Sequence, residues 1–196
     1  MLTTSWAIKA IVIATVLSGT SAIGFAEMRA PTQVDLASGR RVQQKENRLY
    51  EVDASKHTIS AIQFPPSFKH AIATSSSIAF PDDHSRLIDG KEYFLVVVNQ
   101  SSSSNPTGYC GAGEEGTLYA LELRDGAAVP RFSTLVKSCL KDFDLASDSG
   151  MKSGYLAIKW KDSPVGIQVH WDIYGNASDV SSFYRYEGGA FVADKQ

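Results

Sequence analysis

Glu92-Tyr93-Phe94-Leu95-Val96-Val97-Val98-Asn99 is the stretch whose reading decides the fold. Its centre is an unbroken apolar run ending in three valines. Such a run fits a strand covered on both faces better than one with a wet side. Further strand signals follow at 118–123, 131–136, 155–160, 182–186 and 190–192. Residues 167–173 alternate, with Ile167, Val169, Trp171 and Ile173 on one apolar face. Upstream, 33–36, 49–52, 57–63 and 68–74 read as shorter strands punctuated by Ser38-Gly39-Arg40 and Pro65-Pro66. A short helix is expected at most within 38–48. The predicted class is all-β, a single-domain antiparallel sandwich or meandering sheet spanning 27–196.

The first 26 residues read as a secretory signal. Lys9 supplies the positive start, residues 10–17 the apolar run, and Gly24-Phe25-Ala26 the small residues before the cut. Cleavage is expected before Glu27, with a cut after Ala22 as the second choice. An eight-residue run is too short for a bilayer, which takes about 20. No cysteine follows the run, so no lipid anchor is expected, and no stable membrane insertion after cleavage. The predicted setting is the periplasm or the secreted space.

Lys9 is the sole charged side chain of this segment, which leaves 18 basic and 21 acidic side chains in 27–196. A net charge near −3 argues against nucleic acid as a partner. Cys110 and Cys139 are the two cysteines, and in an oxidising space they are expected to pair. Closing a loop of about 30 residues contributes roughly 3–4 kcal/mol in the chain-entropy model.

In a meander, alternate connections share an end of the sheet. Arg124-Asp125-Gly126 and the turn at 161–166 fall at one end. The long connections 100–116, 141–154 and 175–181 fall at the other, together with both cysteines. Within the first long loop, Tyr109, Glu114 and Glu115 lie close to Cys110 and are candidate binding residues. The long-loop end carries Glu114, Glu115, Asp142, Asp144, Asp148 and Asp179 against Lys141 and Lys152. A basic partner would be steered there.

Motifs for chemistry are sparse. Asp142-Phe143-Asp144 with Asp148-Ser149-Gly150 invites a calcium reading but departs from the standard loop spacing and lacks its closing Glu, so no metal is assigned. Asp82 with His84, and His170 with Asp172, offer two ligands each, short of a zinc site. There is no nucleophile elbow, phosphate loop or dinucleotide fingerprint. No catalytic residue and no cofactor are assigned.

Ser153-Gly154-Tyr155 resembles the Ser-Gly…Tyr loop of periplasmic lysozyme inhibitors, small exported β proteins that insert such a loop into the lysozyme cleft. The resemblance covers these three residues. In that family further residues separate Gly from Tyr. It implies a binding role for Ser153, Gly154 and Tyr155 and a basic target. The sequence thus predicts a non-enzymatic binding protein, of inhibitor or immunity type, for a basic partner such as a cell-wall hydrolase. A small-molecule or calcium-binding module is the alternative, and a hydrolase the third reading.

Overall fold

The computed structural model describes residues 30–103, 105, 107–146, 153–173 and 180–194. The expected signal at 1–26 lies outside the described residues. The chain opens with a four-stranded antiparallel sheet of β1 (Gln33–Asp35), β2 (Arg41–Lys45), β3 (Arg48–Asp53) and β4 (Thr58–Ala61), paired in that order. Helix α1 (Pro66–Ala73) leads to β5 (Ser77–Ala79), β6 (Arg86–Ile88) and β7 (Lys91–Ser101). Then come β8 (Glu114–Arg124), β9 (Ala127–Ser138), β10 (Phe143–Leu145), β11 (Ile158–Asp162), β12 (Val165–Ile173), β13 (Val180–Glu187) and β14 (Ala190–Ala193). These form a second sheet in the order β14-β13-β12-β10-β9-β8-β7-β5, with β11 on β12 and β6 on β7. The all-β, antiparallel class read from the sequence is what the chain adopts.

Strand β7 behaves as its composition demands. Phe94, Val96 and Val98 point into one core with Val34, Val42, Leu49, Phe68 and Phe80, which come from the first sheet and the segment after it. Tyr93, Leu95 and Val97 point into another with Ile158, Trp160, Ile167, Val169 and Phe191, so β11–β14 cover the opposite face. Each fully buried side chain of this size contributes roughly 1.5–3 kcal/mol relative to exposure. Six in a row make β7 the element both halves of the chain are built against. Its hairpin with β6 turns at Asp89-Gly90, and the hairpin from β8 to β9 turns at Asp125-Gly126. All four residues have positive φ, 51° and 72°, then 51° and 76°, the two-residue turn that matches strand twist.

Three local expectations are corrected. Of residues 68–74, expected as a strand, 68–73 belong to α1 and Thr74 caps it. Phe68 and Ile72 are its buried pair, and a spacing of four satisfies both a helix face and an alternating strand face. Pro66 decides between them, standing in the first turn, where its fixed φ and missing N–H suit a helix. No helix forms within 38–48; β2 occupies it, between Gly39 at φ 78° and Glu46 at φ 56°. Residues 155–160 are strand only from Ile158, because Gly154–Ala157 forms a 3-10 turn.

The pairing places Ser101 opposite Glu114, Glu115 opposite Ser138, Ser138 opposite Phe143 and Phe143 opposite Ile173. Five strand ends therefore gather at one end of the sheet. The connections 102–113 and 139–142 leave from there.

Candidate functional site

Cys110 and Cys139 form a disulfide with Cα atoms 5.8 Å apart. It ties the middle of the 102–113 loop to the end of β9. The loop is wound into successive turns, Gly111 N–H to Gly108 C=O at 2.9 Å and Gly113 N–H to Cys110 C=O at 3.0 Å. Ser102 N–H closes its base on Gly113 C=O at 3.0 Å. Gly113 is required by space: a Cβ there would stand 2.5 Å from Cys139 Cβ.

Glu115 is the polar anchor of this loop. Its Oε1 accepts from Ser102 Oγ at 2.6 Å and from Leu140 N–H at 3.2 Å, joining the two segments the disulfide joins. Partial burial would raise its pKa. The hydroxyls of Ser102 and Ser138 and the N–H groups of Leu140 and Cys139 outweigh burial and hold it below the ordinary glutamate value. Glu114 is also engaged, accepting from Ser76 Oγ at 2.9 Å and lying 3.7 Å from Lys137 Nζ. Lys137 is 3.8 Å from Asp144 on its other side. Both glutamates expected to be displayed are therefore turned toward the protein's own groups.

Tyr109 and Leu140 are displayed. They precede and follow the two half-cystines and are 71% and 53% exposed. The Tyr109 hydroxyl donates to Asp142 Oδ1 at 2.9 Å, which raises the phenol pKa and ties the side chain to the segment after Cys139. An aromatic and an aliphatic side chain thus stand in water on a covalently closed base. Leu140 was not singled out from the sequence. The available signal was an apolar residue between Cys139 and Lys141-Asp142, where no strand pattern asks for one.

Tyr155 is held inward. Its ring packs against the second core, and its hydroxyl accepts from Asn99 Nδ2 at 2.6 Å. Burial raises its pKa, against the lowering effects of Asn99 and Lys137. Asn99 is fully buried and donates to Ser77 Oγ as well, at 2.9 Å. Gly116 allows this, since a Cβ there would stand 2.7 Å from Asn99 Oδ1. Ser153, Gly154 and Tyr155 are all half-buried. Gly154 and Tyr155 line a cleft of about 190 Å³ with Lys137, Asp144 and Leu145.

The acidic motifs resolve in part. Asp142 holds Tyr109 and Asp144 faces Lys137; Asp148, Gly150 and Asp179 lie outside the described residues. Asp82, Asp83 and His84 bring one ligand atom each within 4.8 Å of one another on an exposed turn. There the His84 backbone N–H reaches Asp82 Oδ1 at 3.0 Å. The Asp83 carboxylate, 2.6 Å from Nδ1, raises the imidazole pKa. No described helix is long and apolar enough to cross a membrane. Compared with protein-family models, curated proteins and solved structures, the chain matches none.

Proposed function

We propose that the protein is a non-enzymatic exported binding protein, of inhibitor or immunity type, acting in the periplasm or the secreted space on a basic protein partner such as a cell-wall hydrolase. The observation that carries this reading is the pair Tyr109 and Leu140, exposed on either side of the Cys110–Cys139 bridge. Aromatic anchors on a pre-ordered base are the residues that dominate interface energies, and a closed loop loses little entropy on docking. The sign of the partner follows from the surroundings. Glu114, Glu115, Asp142 and Asp144 outnumber Lys137 and Lys141 among the described residues at this end. The disulfide and the signal-like start support an oxidising compartment.

Affinity capture tests the reading. The oxidised protein serves as bait in an extract of exported proteins, beside a Tyr109→Ala bait. A basic protein held by the first, weakened at least about tenfold on the second and released by salt, is the expected result. Equal capture by both baits removes the loop from the account. The cleft at Lys137, Asp144 and Tyr155 supports one alternative, a small-molecule module, for which a ligand-dependent rise in melting temperature is the test.

A further inference from the structure

The two edges of the first sheet differ. The outer edge of β1 is met by the segment around His84, with Asp35 N–H on Asp83 C=O at 2.7 Å and Ser85 N–H on Asp35 C=O at 2.9 Å. Strand β4 has β3 on one side and, among the described residues, no strand on the other. All four of its residues are exposed, Ile59 by 70%.

The backbone shows which groups remain open. Ile62 N–H donates to Leu49 C=O at 3.0 Å, so Ile62 faces β3. By the alternation of an antiparallel ladder, Thr58 and Ser60 face β3 too, and Ile59 and Ala61 face outward. Gln63, next in the outward row, is already taken. Its N–H reaches Gly126 C=O at 3.0 Å and its C=O receives Ala128 N–H at 2.9 Å. At the other limit His57 has φ 53° and has left the extended conformation. The open edge is therefore three residues long, Ile59-Ser60-Ala61. It carries none of the usual protections, neither Lys, Pro nor a bulge.

We propose that this edge pairs with the same edge of a second copy, antiparallel, about a two-fold axis at Ser60. Ile59 then stands opposite Ala61 of the second copy, and the two such pairs exchange four backbone hydrogen bonds. The identity of the occupant follows from the side chains. Ile59 pairs with Val52 and Ala61 with Tyr50 across β3. The symmetric register therefore extends two apolar rows without interruption: Val52 and Ile59 continue into Ala61 and Tyr50 of the second copy, and the reverse. The other face brings Ser60 against Ser60. The acidic side chains of β3 on that face are paired within each copy, Glu51 with Arg40 and Asp53 with Lys56. No like charges meet. Three paired residues per copy bury far less than the roughly 1,200 Å² of a stable interface, so the dimer is weak and forms only at high concentration.

Sedimentation equilibrium of the oxidised protein, from micromolar to millimolar, tests this. Ile59→Pro removes a donor that faces away from β3, a position an edge strand tolerates. Ile59→Lys places like charges across the axis and carries the test should the proline variant fold poorly. The wild type is expected to rise toward twice its monomer mass. Both variants should associate at least about tenfold more weakly, with unchanged melting temperature for Ile59→Lys. A wild type that stays monomeric throughout overturns the proposal. So does association that survives Ile59→Lys but is lost in Tyr109→Ala, which would move it to the disulfide end.

Discussion

Strand β7 and the loop that follows it are neighbours in sequence and are ordered by different forces. The strand hides Tyr93 through Val98 on alternating faces in two apolar cores. Among the described residues of the loop from Ser102 to Gly113, no side chain is buried. A disulfide, three backbone turns and the Glu115 carboxylate hold it instead. Burial is strong and non-directional, and it leaves no apolar surface free to bind. A covalent and hydrogen-bonded frame is weaker in total, but it can hold Tyr109 and Leu140 out in solvent. The difference explains why the rigid centre is scaffold and the rigid loop is the candidate for recognition.

The comparison breaks most visibly at the strand. Phe94→Ala opens a cavity at a fully buried position and should cost about 3–5 kcal/mol. Urea unfolding would report it as a lower midpoint, and the loop would fail with the core. Cys110→Ser with Cys139→Ser acts on the loop's own restraint. About 3 kcal/mol of stability should go, while far-ultraviolet circular dichroism keeps its β signature.

Glu115→Gln is gentler, about 1 kcal/mol, because a neutral acceptor replaces a charged one at the same hydrogen bonds. Its pH dependence is the sharper readout. A carboxylate whose folded pKa is lowered contributes fully above the ordinary glutamate range, and that contribution is lost as pH falls through the lowered value. Loop protection in the wild type should fail only in that acid window, and the Gln variant should show no such step. Smallest in stability is Tyr109→Ala, whose melting temperature should stay at the wild-type value because the site is exposed. Its effect belongs to binding, which the paired capture baits measure.

Much of the centre was legible because burial writes itself into composition. A run with no charged or strongly hydrophilic member from Tyr93 to Val98 has no solvent face to offer, and the Asp-Gly pair at 125–126 announces a hairpin. The cysteine pairing was legible from the expected compartment and from placement. Helix α1 was not, since Phe68 and Ile72 fit either period and the deciding Pro66 was read only as punctuation. At the loop end, charge could be read but not direction. Glu114 and Glu115 look like a docking pair in sequence; the register with Ser138 and the folding of Ser102 back over the loop turn them inward. Tyr155 opens an expected strand and completes the Ser-Gly-Tyr resemblance in sequence, and neither reading reveals that Asn99, 56 residues earlier, binds its hydroxyl. Such pairings depend on tertiary placement that no local pattern records.

Backbone amide exchange on the oxidised and the reduced protein tests the central claim, that the loop is a built and rigid platform. Ser102, Gly113 and Leu140, whose N–H groups have intramolecular acceptors, should exchange slowly when the disulfide is closed. They should exchange rapidly once it is reduced, while Val96 and Leu118 stay protected in both states. Rapid exchange at those three amides in the oxidised protein, or no change on reduction, would contradict the account.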